Sequence, residues 1–428
     1  MLNLIDKKLK NFYSNNIGIV YILFLILVSI LSLVFTYQLI LKIPSLINNN
    51  NEIIISNIPF GYGPLIDNIF NGNGYVREWN GVDTYLSRLP FLPIFKFLIF
   101  KLSLNIYFVL IIKNIIFLSI YFYFCHNFCK EGSKNFIYFI FLISIIFYNF
   151  YNLTTNLNIF FADAYIGIIL PAIFILLNSN HSFKNIILGV LLFFLYLMKT
   201  TMFFPTLTIA ILYIIIEKKI RITLRLIPLV FLTLSMISWG MFGYVKTGVF
   251  AVGSKISSDN QQALNIVMDN KFHEYYPKIT VDIIPKNKFL PNFENEWDSY
   301  EYYKELNTDF IKNNKSRVFK DVAIKLKFIF FNIRKDSVNN FHSEKNPNPI
   351  MFSHILNRIF FLISIIISIV LIIKNIKSIR YYKNEIYFLG IITSSIFPHL
   401  IGWATSKHLV GIFIISHIYL FFKLKKYL

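Results

Sequence analysis

Charge is scarce in this chain. Asp, Glu, Lys and Arg together make up 15% of its 428 residues, well below the ~25% usual in soluble domains, which excludes an ordinary soluble globular class. Cysteine is almost absent: Cys125 and Cys129, with His126 between them, are the whole complement. A disulfide framework is therefore excluded, and two thiols with one imidazole do not complete a tetrahedral zinc site. Small apolar side chains at the end of a spanning helix are the simpler account of that pair. Alternating ten-residue strands are missing, which excludes a transmembrane barrel. No Gly-rich phosphate loop, zinc motif or Ser-His-Asp pattern occurs. No internal repeat is evident, and the Asn run at 48–51 is the one low-complexity segment. No small-residue cleavage site follows the first apolar run, so no cleavable signal is expected.

Apolar residues fill the space. They are 56% of the chain, aromatics alone 18%, and several runs exceed the ~18 residues needed to span a bilayer as a helix. The expected fold class is an all-α membrane protein with about ten transmembrane helices and two large outer-face loops containing interfacial helices. The spans fall at about 17–43, 104–128, 136–151, 159–177, 186–198, 202–216, 226–244, 352–373, 386–401 and 409–422. Placing Lys7, Lys8 and Lys10 inside puts each dense short basic cluster inside as well: Lys218, Lys219, Arg221 and Arg225, then Lys374, Lys377, Arg380 and Lys383, then Lys423, Lys425 and Lys426. This agreement with the positive-inside rule supports the count, because the apolar segments were chosen without it. Both termini are then cytoplasmic, and a multi-pass protein of the bacterial inner (plasma) membrane is expected. The formal net charge of +20 fits orientation and contact with anionic membrane lipid. Nucleic acid is excluded as a partner, because the cations sit in loops between spans.

Two polar stretches then share the outer face, forming a first loop over 44–103 and a larger one over 245–350. Gly61, Gly63, Gly72 and Gly74 in the first loop suggest turns between short surface helices. Residues 90–101, apolar but with Pro93, Lys96 and Lys101, are too short to span and suit the interface. In the second loop, 316–335 reads as a basic amphipathic helix. Val318, Val322, Ile324, Phe328, Ile329 and Phe331 oppose Lys320, Lys325, Lys327 and Arg334, a pattern suited to the membrane surface.

Ionisable groups at membrane depth are expensive and mark candidate sites. Asp163, near the outer end of its span, is a candidate catalytic carboxylate, and a span-end residue reaching water is the alternative. Asp67, Glu78 and Asp83 are first-loop carboxylates. Arg88, ahead of Leu89-Pro90, has the guanidinium geometry to clamp a phosphate, with snorkelling to headgroups as its alternative role. Lys199 and the Lys407-His408 pair are outer-face cations suited to phosphate or to interfacial anchoring.

Several short motifs, in this order, resemble the GT-C class of polytopic glycosyltransferases. The similarity is to its protein-O-mannosyltransferase-like and aminoarabinose-transferase-like branch. Asn68-Ile69-Phe70-Asn71-Gly72-Asn73-Gly74-Tyr75 is similar to that branch's N-L-L-x-G-x-G-Y, and Ser87-Arg88-Leu89-Pro90-Phe91-Leu92-Pro93 to its x-R-x-P-x-x-P. Lys113-Asn114, Phe161-Ala162-Asp163, Leu197-Met198-Lys199-Thr200, Trp239 through Gly248, and Lys407-His408 follow in matching order. The resemblance implies transfer of a sugar from a polyprenyl-phosphate or -pyrophosphate donor to a hydroxyl on a glycolipid, lipid-linked glycan or protein acceptor. Arg88, Lys199, Lys246, Lys407 and His408 would hold the leaving phosphate, and Asp163, Asp83 or Asp67 would act as the base. A divalent metal is left open as a cofactor, and no other is implied. One departure stands out: the branch carries an acid just after its first span, and here Ser56-Asn57-Ile58-Pro59-Phe60 has none. Another acid takes the role, or the chemistry differs, or activity has been lost. A lipid-linked glycan polymerase or ligase, and a flippase or transporter of a lipid-linked sugar, are the rival functions. Transporters favour repeated halves and deep charges, which this chain lacks.

Overall fold

The computed structural model describes residues 48–58, 62–79, 81–109, 162–254, 293–331, 348–374, 382–401 and 409–424, with scattered positions among 19–30 and 111–123. The expected span at 136–151, most of those at 17–43 and 104–128, and Cys125, His126, Cys129, Lys407 and His408 lie outside the described residues. The described chain is mostly helical.

In the first loop a 3-10 turn, Ile55–Asn57, leads to helix α1, Tyr62–Phe70. Gly63 is needed inside that helix, since a Cβ there would lie 2.6 Å from three carbonyl oxygens, those of Ile55, Ser56 and Ile58. Helix α1 stops at Gly72, which takes the left-handed φ of 82° that a side chain resists. A short antiparallel hairpin follows, β1 (Arg77–Trp79) and β2 (Val82–Thr84), pairing Glu78 with Asp83. No strand was expected here, although Asn80-Gly81 is a strong hairpin signal. Helix α2, Phe91–Leu102, occupies the short apolar segment expected at 90–101. It leaves Ile94, Leu98 and Leu102 exposed at four-residue spacing, one apolar face without a partner among the described residues.

Helices occupy each of the seven later segments expected to be apolar: α3 (Ala162–Leu177), α4 (Lys184–Met198), α5 (Phe203–Ile216), α6 (Ile222–Thr247), and, beyond the large loop, α9 (Asn348–Lys374), α10 (Lys383–Ile401) and α11 (Val410–Leu424). Between α6 and α9 the large loop contributes α7 (Glu296–Asn313) and α8 (Lys315–Phe331). Among the described residues two helices, Ile222–Thr247 and Leu356–Lys374 within α9, are long and apolar enough to cross a membrane. At 1.5 Å per residue the first reaches roughly 39 Å, against a hydrocarbon core of ~30 Å. Only 33% and 28% of their most apolar stretches are buried, so most of that apolar surface faces outward. The apolar helices of α3, α4, α5 and α11 are shorter.

Packing is close where residues are small. Gly411 of α11 crosses Gly167 of α3, a Cβ on the former coming within 3.5 Å of the latter, and such crossings let helix backbones approach. Phe174 stacks on Phe422 and Phe388 on Tyr419, with centroids 5.8 Å and 4.3 Å apart. Polar pairs collect at one end of the bundle. Lys184 donates to the carbonyls of Leu177 and Ser179 at 2.7 Å and 3.1 Å, so a cation closes the α3 C-terminus. Glu217 lies 3.6 Å from Lys184, pairs with Lys383, and accepts from the Tyr387 hydroxyl at 3.4 Å. Lys423 pairs with Glu385 at this same end.

The opposite end carries the first loop. Leu86 and Leu89 form one apolar cluster with Tyr196 and Leu197 at the end of α4, Leu232 and Trp239 of α6, and Ala251. Helix α8 differs from its expected form. Lys325, assigned to the polar face, is buried and donates to the Leu400 carbonyl at 3.3 Å, and Phe331, assigned to the apolar face, is exposed. The helix packs on α10, which turns its buried face toward Lys325 and Ile329.

Candidate functional site

The motif residues of the first loop do structural work. The Asn68 side-chain amide donates to the Val76 carbonyl at 2.7 Å, which ties α1 to the strand approach. The Tyr75 hydroxyl donates to the Arg88 carbonyl at 2.7 Å, and burial pushes that hydroxyl well above its ordinary pKa, so it remains a donor. Its ring meets Trp239 and Phe242 edge-on, at 5.9 Å and 5.6 Å. Trp239 in turn donates to the Gly253 carbonyl at 2.9 Å. The Thr200 and Ser254 hydroxyls bond at 2.6 Å. The Asn68–Tyr75 turn, the Arg88 segment, the Lys199-Thr200 step and the end of α6 are thus held as one unit.

Beside this unit lies a cavity of about 500 Å³, lined by Asp83, Tyr85, Lys246, Thr247, Asn295, Glu296, Trp297 and Asp298. Three elements meet there. Strand β2 carries Asp83, the last turn of α6 carries Lys246, and α7 begins with Glu296. Asn295 caps that helix, accepting from the Trp297 and Asp298 amides at 2.8 Å and 3.1 Å and donating to Asp298 Oδ2 at 2.7 Å. Glu296 accepts from the Leu86 amide at 3.3 Å and is only 2% exposed. Burial pushes its carboxyl up to about 7, outweighing the Leu86 and Tyr85 backbone donors that pull it down. Its second oxygen and the Trp297 indole N–H are buried with no hydrogen-bond partner among the described residues. The Lys246 ammonium sits 5.7 Å from the Tyr85 ring centroid.

A second grouping lies on the same loop. Arg88 and Lys96 both face the Tyr62 ring, at 5.4 Å and 5.0 Å, and Lys96 is buried. Lys199 terminates α4 in extended backbone, half-buried, beside the Thr200–Met202 turn.

Of the residues expected to act, Asp83 and Lys246 are brought together in the cavity. Arg88 lies on the adjoining segment, and Lys199 two residues after Leu197 of the apolar cluster. Asp67 is half-buried on α1 and does not line the cavity. Asp163 is the second residue of α3, whose Tyr165 ring meets Phe95 of α2 at 5.8 Å. Its side chain lies outside the described residues, as do Lys407 and His408. Glu296, Trp297, Asp298 and Lys96 were missed as site residues. The Asn295-x-x-Asp298 capping pattern could have located the start of α7, but nothing local marks Glu296 as buried. Among the described residues no three His, Cys, Asp or Glu side chains lie close enough to hold a metal ion. No family model, curated protein or solved structure matches the chain.

Proposed function

We propose that this chain is a membrane glycosyltransferase of GT-C-like plan, with about ten spans and both termini cytoplasmic. It moves a sugar from a polyprenyl-phosphate or -pyrophosphate donor to a hydroxyl acceptor at the outer face. The observation that carries this reading is the cavity that joins first-loop Asp83 to Lys246 and Glu296 at the end of the bundle opposite the basic clusters. Inverting transfer needs a carboxylate beside the acceptor hydroxyl and fixed cations where charge develops on the departing phosphate. Carboxylates are supplied by Asp83 and Glu296, with Asp163 on the neighbouring helix end. Cations are supplied by Arg88, Lys96 and Lys199, joined by Lys407 and His408 ahead of α11. The exposed apolar face of α2 suits a helix lying in the outer interface, where a prenyl chain would run.

Support for the orientation comes from the bundle's ends. Lys184, Glu217, Lys383 and Lys423 gather at one end, and the first loop, the Thr200 turn and α7 gather at the other. This separation matches an inside rich in cations and an outer catalytic face. The experiment is glycolipid and glycan profiling of a deletion strain and of the same strain with the gene restored. A sugar missing from one glycan and regained on restoration supports the transferase. A lipid-linked intermediate accumulating on the inner leaflet would assign a flippase instead. Shortened polymer with intact repeat units would assign a polymerase or ligase.

A further inference from the structure

The cavity is more acidic than a donor-phosphate site should be. Among the described residues Asp83, Glu296 and Asp298 line it with one ammonium, that of Lys246, a balance that repels a phosphate. Arg88 and Lys96 instead share the Tyr62 ring on a different part of the loop. The cavity has aromatic walls, Tyr85 and Trp297, and short polar groups, Asn295 and Thr247. Its volume falls within the ~300–1,000 Å³ typical of small-molecule sites. Such a lining suits an uncharged, hydroxyl-rich ring, whose C–H face packs on aromatics while its hydroxyls donate to carboxylates. Two buried polar atoms, Glu296 Oε1 and Trp297 Nε1, lack partners among the described residues. Native interiors rarely leave such groups unsatisfied, and an acceptor together with a donor left over on two residues that line one cavity points to a ligand hydroxyl.

Resting on the glycosyltransferase reading, we propose that this cavity is the acceptor subsite, that it takes a saccharide hydroxyl, and that Glu296 is the base that removes the hydroxyl proton. The hydroxyl oxygen forms the bond to the anomeric carbon of the donor. The bond from that carbon to the donor phosphate oxygen breaks, and its electron pair leaves on the phosphate. The hydroxyl proton passes to Glu296 Oε1, and the carboxyl later returns it to water. Glu296 suits this role better than Asp83, which is exposed on the hairpin. Its carboxyl is poised at about 7, near the working pH where general bases are most effective. This base supplies the carboxylate missing between Ser56 and Phe60 from a position far along the chain.

The test uses right-side-out vesicles of the deletion strain carrying the full-length wild type, E296Q, E296D or D83N, with their own donor and acceptor lipids. The initial rate at which the missing sugar is restored is followed from about pH 5 to pH 9. The wild-type rate is expected to climb with pH through a midpoint near 7 and then level off, since only the ionised base is active. E296Q is expected to lose about 10²–10⁴-fold and the rise near neutrality with it. E296D should keep a reduced rate that still rises with pH, and D83N should keep the wild-type midpoint. An E296Q protein that accumulates and transfers at the wild-type rate would overturn the assignment. So would one that is slow but keeps the wild-type pH dependence, because Glu296 would then be only a structural support. If E296Q fails to accumulate, the wild-type profile decides: a rise through neutrality supports the base, and a flat profile overturns it. If the wild-type chain restores no sugar, the transferase reading has failed and this assignment falls with it. Equal rates for wild type and E296Q overturn the assignment alone.

Discussion

Single side chains decide the chemistry and part of the stability. Because burial raises the Glu296 carboxyl to about 7 from an ordinary value of 4.5, the folded state holds its proton where the unfolded chain has lost it. Its contribution to stability is fully present below about pH 4.5 and is lost as pH rises through 7. Thermal unfolding of the detergent-solubilised protein should therefore show E296Q matching the wild type in acid and exceeding it above pH 7, and a gap independent of pH would refute the shift. Gly63 and Gly240 make a contrasting pair. A methyl at Gly63 meets three backbone carbonyls at 2.6 Å, which cannot move aside, whereas one at Gly240 meets the ring of Phe250, itself 49% exposed. Gly63→Ala should cost about 1–3 kcal/mol and lower the melting temperature, while Gly240→Ala should leave it nearly unchanged. Part of the candidate site was legible at this scale: Asp83 and Lys246 were both named from sequence and line one cavity, although Lys246 was named as a phosphate ligand. Glu296 was not legible, because its burial comes from the Leu86 segment 210 positions away, and a glutamate in a polar loop looks solvated until that partner is known.

At the scale of elements, apolar run length and flanking charge located α3 to α6 and α9 to α11 within a few residues, whereas α7 was not expected. These signals are strong because each run must bury or face lipid along its whole length. The hairpin was passed over because its strands are only three residues each, too short for alternation to register. Helix α8 was recognised as amphipathic, and Ile329, Lys320 and Lys327 lie as expected, but Lys325 and Phe331 do not, since a Lys stem can lie against a neighbouring helix and place its ammonium on a carbonyl. The ion network at the basic end gives an element-level test. Glu217 joins α4 to α10 through Lys184 and Lys383, and its side chain is 13% exposed. Removing one partner of a buried pair costs about 3–5 kcal/mol, and Glu217→Gln should fall toward the lower figure because Lys383 is 30% exposed. The check is thermal unfolding of the variant beside Lys383→Gln and the double variant. Additive losses would mean that the two residues do not interact.

For the whole molecule, orientation joins the fold to its proposed work. With Cys125 and Cys129 replaced by serine, Asn73→Cys and Lys312→Cys, both at exposed positions on the loop side, should react with a membrane-impermeant maleimide in intact spheroplasts. Lys219→Cys, exposed at the basic end, should react only after permeabilisation. Reaction of all three from outside would reverse or break the proposed topology. The most direct measurement of glycosyl transfer follows a labelled sugar on its lipid phosphate in right-side-out vesicles of the deletion strain, with and without the restored chain. With the chain present the label should leave the lipid phosphate and appear on a hydroxyl-linked product, and Asp163→Asn and Arg88→Ala should each abolish that step while still accumulating in the membrane. Label that changes leaflet while staying on its lipid phosphate, or that stays unmoved with the chain present, would contradict glycosyl transfer.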